Sequence, residues 1–246
     1  MTLPYTNLAI IIPVLNYEYI QKTIDNLKNE FSINKDEYKI IIVDDGSNKK
    51  FRENLNEISS IENVHVIYHE INKGKGAAIK TGISKSNCEV ILYTDCDLAY
   101  STKEIYRFYN IFLNNNYDIL CANRRSKKSK AIISPLDLKY IYSRERAGRI
   151  FNFCLRILGL TKLRDTQAGL KVIRYSAYNK LPVIKSNDFL FDVELLYYAE
   201  LKSKTVKSEP VEYIYHDSNS SLTIYNTGLS MLFRSILLFF TLDKDK

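Results

Sequence analysis

The chain has 246 residues, of which 46% are hydrophobic and 26% charged, with only 8 glycines and 5 prolines. This composition excludes a disordered or low-complexity protein, and the length suffices for one large α/β domain or two small ones. The 35 basic residues outnumber the 28 acidic ones by 7, which favours an anionic partner such as a nucleotide, a phosphate, nucleic acid or an anionic membrane.

The four cysteines are widely spaced and form no C-x-x-C pair, and the chain has only three histidines. We therefore expect no structural zinc site. Reduced thiols in apolar runs favour a cytoplasmic location. The first residues lack the basic region of a signal peptide, and no stretch reaches the roughly 18–20 apolar residues that span a bilayer.

Apolar runs alternate with stretches of helical spacing along the first 122 residues. The predicted strands are Leu8–Ile12 (stopped by Pro13), Lys39–Val43, Val64–Tyr68, Val90–Tyr93 and Asp118–Cys121. The predicted helices run near Ile20–Phe31, Phe51–Ile61, Ala77–Ser84 and, after a cap at Ser101, through Phe112. This alternation predicts an α/β fold with a mostly parallel, doubly wound sheet.

Polar residues follow each of the first four predicted strands. They are Pro13 and Asn16, then Asp44 and Asp45, then Lys73 and Lys75, then Asp95 and Asp97. Because ligands of such sheets bind at the carboxyl ends of the strands, we expect these residues to lie at one edge and to form a site.

The most informative of these residues are Asp95 and Asp97, which follow an apolar strand. Ionised carboxylates are costly to desolvate without a partner, and Mg²⁺ binds one or two carboxylates together with phosphate oxygens. A cation here would stabilise a departing diphosphate. The alternative is a strand end followed by an ordinary polar turn. At 45–47 the alternative is a tight turn with a helix cap, and at 73–76 it is a solvated turn.

Two familiar phosphate-binding patterns are missing. The chain has no P-loop, and Gly74-Lys75-Gly76 has Ile79 where a dinucleotide fingerprint needs its third glycine. The sequence therefore argues against a nicotinamide site.

The second half is richer in arginine. It contains a basic loop at 123–130, a predicted helix at Tyr140–Leu160, a polar segment at Arg164–Lys171, and further elements at Leu170–Ile173, Phe189–Leu201 and Pro210–Tyr215. The arginines Arg124, Arg125, Arg144 and Arg146 form either a second phosphate site or a solvated basic face. Asp165 is a candidate base or charge partner.

Two features of this half leave alternatives open. Asp192 and Glu194 lie on different faces of their predicted helix, so we expect one to be salt-bridged and the other exposed. An apolar stripe at Leu229, Leu232, Phe233, Ile236, Leu237 and Phe240 fits a helix on a membrane surface or a helix packed on the core. We expect one domain, with halves at about 1–122 and 123–225 and a final helix at 226–246.

Eight segments together resemble the family 2 glycosyltransferases of GT-A fold, which are Rossmann-like, and most of all the dolichyl- and polyprenyl-phosphate β-glucosyltransferases. The segments are IIPVLNYEY (11–19), IIVDDGSN (41–48), NKGKGAAIKTG (72–82), YTDCDLAY (93–100), ANRRS (122–126), RDTQAGLKVI (164–173), FDVELLYYA (191–199) and EPVEYIYH (209–216). They occur in the family's order. Ala99-Tyr100-Ser101 stands where the mannosyl-phosphate branch has a His-Pro motif, which favours glucose.

The resemblance implies a role for each candidate residue. Pro13, Asn16, Asp44, Asp45 and Lys75 would bind the nucleotide-sugar donor, with Asp95 and Asp97 holding Mg²⁺ or Mn²⁺; Asp165 would assist the nucleophile, and Arg124, Arg144 and Gln167 would bind the acceptor. The resemblance favours UDP-glucose as the donor, with GDP-mannose as the alternative, and implies transfer with inversion at the anomeric carbon. The acceptor would be a lipid phosphate, and the protein would be cytoplasmic, with peripheral contact at the cytoplasmic membrane face.

Three other hypotheses remain open at this point. A saccharide acceptor would require Asp165 or another acid to act as a true base. A nucleotidyltransferase would release pyrophosphate instead of a nucleoside diphosphate. A nucleic-acid-binding module is disfavoured, because the basic segments lack interleaved base-stacking aromatic residues.

Overall fold

In a computed structural model of the chain, residues 7–33, 37–133, 138–215 and 233–240 are described. The strands are β1 (Leu8–Val14), β2 (Tyr38–Asp44), β3 (Val64–Tyr68), β4 (Val90–Tyr93), β5 (Ile119–Asn123), β6 (Lys130–Ile132), β7 (Lys171–Arg174), β8 (Val206–Pro210) and β9 (Glu212–Ile214). The helices are α1 (Ile20–Ile33), α2 (Lys49–Ile58), α3 (Lys75–Ser86), α4 (Thr102–Leu113), α5 (Leu138–Ile157), α6 (Tyr175–Tyr178) and α7 (Phe191–Leu201), followed by a helix at 233–240.

Seven strands form one sheet in the order β3-β2-β1-β4-β7-β5-β8, and β6 pairs with β9 in a separate two-stranded sheet. Strands β1 to β4 are mutually parallel where they pair, and β5 is parallel to β8, whereas β7 runs antiparallel to both of its neighbours. The predicted mostly parallel α/β sheet is confirmed.

The hydrophobic core lies on both faces of this sheet. Along β1, Leu8, Ile10 and Ile12 pack on the side of α1 and α4, and Ala9 and Ile11 pack on the side of α3, α5 and α7. Successive strand residues point to opposite faces, so a strand that is covered on both faces reads as an unbroken apolar run.

The prediction that β1 stops at Pro13 is wrong, because the strand continues to Val14. Strand β4 pairs only with Leu8–Ile11, so Pro13 lies beyond its end and no ladder hydrogen bond to β4 is lost there. Strands β6 and β8 were not predicted.

The 233–240 helix packs on the core through Leu238 and Phe239. Phe233, Leu237 and Phe240 of the predicted stripe are instead exposed, and Leu229 and Leu232 lie outside the described residues. Within the described ranges, no helix combines the length and apolar character needed to cross a bilayer.

Candidate functional site

The sheet gathers the predicted site residues at one edge, as the parallel topology requires. The carboxyl ends of β1, β2, β4 and β5 lie there, and antiparallel β7 begins there, with Lys171 paired to both Tyr93 and Cys121. The segment 164–170 therefore enters the same edge from the second half of the chain.

The loops after β1 and β2 are tied together at this edge. The Asn16 N–H donates to Ser47 Oγ at 2.8 Å, and the Asn48 N–H donates to Asn16 Oδ1 at 2.9 Å. Asn16 has a φ of 51°, a left-handed conformation that asparagine tolerates better than most residues. Asn16 is exposed and Pro13 is half-buried beside it.

Asp44 and Asp45 are both buried, and each holds backbone in place. Asp44 accepts the Ser47 N–H at 3.1 Å and Arg52 Nε at 2.9 Å. Asp45 accepts the N–H groups of Lys73 and Gly74 at 2.9 and 2.7 Å. These acids thus hold the loops after β2 and β3 in place, and direct contact with a nucleotide-sugar donor stays a prediction.

His69 is a member of this arrangement that the sequence did not single out. Its Nδ1 lies 2.7 Å from Asp45 Oδ1, and its Nε2 lies 2.9 Å from Thr81 Oγ1. The loop it supports passes close to the segment before α7, since a Cβ on Gly74 would lie 2.4 Å from the Asn187 carbonyl oxygen. Gly74 also has a φ of 100°, so a glycine is needed here on both counts.

Asp95 and Lys75 form an ion pair at the end of β4. Loss of hydration disfavours both charged forms, but their attraction outweighs it, so the pKa of Asp95 is lowered and the pKa of Lys75 is raised. Both groups are therefore charged at neutral pH, and the anion that Lys75 contacts in this structure is the Asp95 carboxylate.

Asp97 is half-buried, and its Oδ1 accepts the Ala99 N–H at 3.1 Å. Cys96 between the two acids packs against the core on the α1 side, and burial raises the pKa of its thiol.

Gly169 is a second residue that the sequence did not single out. A Cβ at Gly169 would lie 1.8 Å from Asp95 Oδ2, so the backbone of the 164–170 segment presses directly on this carboxylate. Gly169 belongs to the motif RDTQAGL, but its contact partner Asp95 is 74 positions away in the sequence, so the motif alone does not reveal the contact.

A buried network lies below this site. Lys171 Nζ is fully buried and contacts Asp192 Oδ1 and the Ala168 carbonyl oxygen, both at 2.8 Å. Tyr93 donates its hydroxyl to Asp192 Oδ1 at 2.5 Å. A buried cation and a buried anion therefore neutralise each other where β4, β7 and α7 meet.

The expectation that one of Asp192 and Glu194 is exposed is wrong. Glu194 is fully buried and accepts the N–H groups of Lys185 and Ser186, both at 2.8 Å. Helix α7 is covered on nearly all sides, so an acid facing away from Lys171 still meets protein and needs its own donors.

Asp165, Arg124 and Arg125 form a second cluster, which we call the acceptor-side cluster because the sequence predicts acceptor-binding residues there. Asp165 accepts from the Arg124 backbone N–H, Nε and Nη2, each at 2.9 Å, and from Arg125 Nη1 at 3.2 Å. Burial alone would raise the pKa of Asp165, but the two guanidinium groups outweigh it and hold the pKa at about 2. Two cations against one anion leave this cluster with a net positive charge.

The two clusters are close enough to interact, since the charge of Arg124 also lowers the pKa of Asp95. Gln167, which lies between Asp165 and Gly169 in sequence, donates from Nε2 to the Phe189 carbonyl oxygen at 3.1 Å. The Phe189 ring lies beside Lys75, with Nζ 5.9 Å from the ring centre. The side chain of Arg144 lies outside the described part of the structure, and its acceptor role stays a prediction.

Asp95 and Asp97 are the residues at this edge that could hold a hard divalent cation, together with ligands from outside the protein. Among the described residues, no group of three or more His, Cys, Asp or Glu side chains could hold a metal by itself. Asp95 and Asp97 supply two carboxylates, and Mg²⁺ in nucleotide sites is bound by one or two carboxylates plus phosphate oxygens and water.

Comparison with known proteins identifies the family. The glycosyl transferase family 2 model matches residues 9–181. An uncharacterised protein of Methanocaldococcus jannaschii is 30% identical over 93% of this chain and 90% of its own length. Dolichyl-phosphate beta-glucosyltransferase of Dictyostelium discoideum is 29% identical over 79% of this chain and 60% of its own length.

Undecaprenyl-phosphate 4-deoxy-4-formamido-L-arabinose transferase of Proteus mirabilis is 30% identical, over 49% of this chain and 37% of its own length. The chain thus spans less than two thirds of the length of each of these two lipid-phosphate relatives, 60% and 37%. Glucosyl-3-phosphoglycerate synthase from Mycobacterium tuberculosis, crystallised with Mn²⁺, UDP-glucose and phosphoglyceric acid, matches with a TM-score of 0.66. That match has 14% identity and covers 96% of this chain and 78% of the other, so it shows the shared fold.

The family model spans most of the sheet and reaches both clusters at its edge, in agreement with the eight sequence motifs. The chain belongs to glycosyl transferase family 2.

Proposed function

We propose that this chain transfers a hexose, with glucose favoured, from a nucleotide sugar to a polyprenyl phosphate, with inversion at the anomeric carbon. UDP-glucose is the favoured donor and GDP-mannose the alternative. The names of the D. discoideum and P. mirabilis relatives support a lipid-phosphate acceptor, and the solved M. tuberculosis complex supports a uridine nucleotide with Mn²⁺.

The low basicity of Asp165 is the observation on which we base the choice between a phosphate and a saccharide acceptor. A saccharide hydroxyl must lose a proton as it attacks, and it needs a base whose pKa lies near the working pH. Asp165, with a pKa of about 2 and two arginines on its carboxylate, is a very weak base. A phosphate monoester has a second pKa of about 6 and is already ionised at neutral pH, so it requires no base.

The charges at the sheet edge fit such an acceptor and a diphosphate leaving group. The cluster of Arg124, Arg125 and Asp165 has a net charge of +1, which favours an anionic acceptor. Arg124 is 28% exposed, so its guanidinium can be reached from solvent. We assign Asp165 the role of orienting these arginines.

On the donor side, Lys75 would bind the diphosphate, and Asp95 and Asp97 would hold Mg²⁺ or Mn²⁺. A divalent cation bound there would supply Lewis-acid stabilisation of the leaving diphosphate. The loops that Asp44, Asp45 and Asn16 organise would contact the nucleoside, within a donor half that ends near residue 122. A lipid acceptor places the protein at a membrane surface, for which we propose the cytoplasmic face.

An acceptor assay tests the proposal. We would incubate the chain with radiolabelled UDP-glucose or GDP-mannose and Mn²⁺, and compare polyprenyl phosphate in detergent with neutral oligosaccharides. We expect transfer to the phosphate. Formation of a glycosylated oligosaccharide, with no product from the phosphate, would contradict the proposal, and pyrophosphate release from a nucleoside triphosphate would indicate a nucleotidyltransferase.

The pH dependence separates an ionised acceptor from an enzymatic base. With polyprenyl phosphate, kcat/KM should rise through a pKa of about 6 that belongs to the acceptor. Asp165→Asn should lower activity but keep that rise, because the rise does not come from Asp165. Arg124→Gln should lower transfer while UDP binding stays intact, and Arg107→Gln, which removes an arginine paired with Glu104, serves as the control.

A further inference from the structure

The outward face of α5 carries a stripe of large apolar side chains. Tyr142, Ile150, Phe153 and Ile157 are 67%, 59%, 55% and 69% exposed. The last three follow one another at spacings of three and four, so they lie along one side of the helix. We call Ile150, Phe153 and Ile157 the α5 stripe. Contiguous apolar surface of this kind marks an interaction site.

The opposite face of α5 contacts the acceptor-side cluster. A Cβ on Gly148 would lie 2.4 Å from Arg125 Nη2. Asn152 is buried, and its Oδ1 accepts the Thr166 N–H at 2.9 Å and the Thr166 hydroxyl at 3.0 Å. A helix is about 10 Å across with its side chains, so the α5 stripe lies about one helix diameter from the arginines that hold Asp165.

Charge indicates what covers the α5 stripe. The sequence of α5 has five basic residues and one acidic residue, a net charge of +4. Arg149 and Arg156 are exposed beside the stripe, and the Arg156 guanidinium lies 5.8 Å from the centre of the Phe153 ring. A second copy of this face would repel the first, whereas an anionic lipid surface attracts basic residues and accepts apolar side chains among them.

We propose that the outward face of α5 docks on an anionic membrane, with the α5 stripe inserted at the boundary of headgroups and acyl chains. Docking would hold the acceptor-side arginines near the headgroup of a lipid phosphate, and this purpose of docking is the only part of the inference that rests on the proposed function. The docking itself is measured without acceptor or donor.

The experiment is sedimentation of the full chain with vesicles of phosphatidylglycerol and phosphatidylcholine, or of phosphatidylcholine alone. We expect Phe153→Gln with Ile157→Gln to lower partitioning at least about tenfold. The matched control, Ile71→Gln with Val183→Gln, removes side chains that are 69% and 81% exposed elsewhere and should leave partitioning unchanged. Melting temperatures should be unchanged in both.

The electrostatic part has its own variant. Arg149→Gln with Arg156→Gln should weaken binding to the anionic vesicles and make it less sensitive to salt, with little effect on neutral vesicles.

Three results would overturn the proposal. One is equal partitioning of the α5-stripe variant and the wild type. Another is loss of partitioning in Phe233→Gln with Leu237→Gln, on the 233–240 helix, but not in the α5-stripe variant. The third is a dimer in sedimentation velocity that the α5-stripe variant abolishes, with no vesicle binding by the wild type.

Failure of the proposed function is recognised separately. If the wild type binds vesicles through the α5 stripe but glycosylates no polyprenyl phosphate, the docking surface stands and the proposed acceptor is wrong. If both hold, the α5-stripe variant should lose transfer to acceptor in vesicles but retain transfer to a short-chain, water-soluble acceptor phosphate.

Discussion

Replacing Asp165 by asparagine should destabilise the fold to a degree that can be worked out from its contacts. The substitution preserves shape but removes the charge that accepts four hydrogen bonds from Arg124 and Arg125. Lowering a carboxyl pKa from 3.8 to about 2 corresponds to about 2 kcal/mol of stability at neutral pH, at about 1.4 kcal/mol per pH unit. Two guanidinium groups left without their anion add to this, so we expect a loss of about 2–4 kcal/mol.

The pH dependence of this loss has a definite sign. The native carboxyl binds a proton less readily than the unfolded one, so its stabilisation is complete well above the unfolded pKa of 3.8. It declines as the pH falls toward about 2, because the unfolded state then takes up the proton first. The stability difference between wild type and Asp165→Asn should therefore be constant from about pH 5 to 8 and shrink below about pH 4.

Urea unfolding followed by far-ultraviolet circular dichroism measures this difference at each pH. Asp25→Asn is the control, because Asp25 is exposed on α1, where its carboxylate accepts a hydrogen bond from Gln21 Nε2 at 2.9 Å. A difference below about 0.5 kcal/mol for Asp165→Asn, or one that stays constant down to about pH 3, would refute the reasoning.

Three further predictions concern the Asp95 cluster and the buried network below it. Asp97→Asn should abolish the rise in melting temperature that Mn²⁺ with UDP produces and lower transfer at least about 100-fold, without changing the melting temperature of the free protein. Gly169→Ala should push the Asp95 carboxylate aside, since its Cβ would lie 1.8 Å from Oδ2, and should raise the donor KM about tenfold while the fold is retained. Lys171→Met should destabilise the protein by about 3–5 kcal/mol in urea unfolding, and adding Asp192→Asn should recover part of that loss, whereas additive losses would contradict a direct pair.

The strands that the sequence predicted with the right bounds are those that read as an apolar, β-branched run, whether central (β4) or at the edge of the sheet (β3). Strands β3 and β4 were predicted with the bounds that the structure shows, and β4 is buried along its whole length. Strand β8, which reads VKSEP, was missed because it is an edge strand paired only with β5, where polar and half-exposed residues are tolerated. Strand β6 is three exposed residues long and carries no periodic signal.

At the site, position along the chain predicted which residues reach the sheet edge but not which of them pair. Asp165 and Arg124 were assigned separate roles, yet they bind each other across 41 positions. Lys171 was read only as part of a strand and proves to be the buried partner of Asp192. Nothing in a local pattern distinguishes a buried lysine from a solvated one, because its partner arrives from another element.

The sequence by itself determined the α/β alternation and the placement of Asp44, Asp45, Asp95 and Asp97 at strand ends. Both follow from local periodicity, since a strand buried on both faces must be apolar until it reaches the edge. Only the tertiary structure decided the pairing of charges, because the insertion of antiparallel β7 between β4 and β5 brings the 164–170 segment against Asp95 and Arg124. Strand order depends on packing among distant segments, and so the state of Asp165 could be read only from the folded chain.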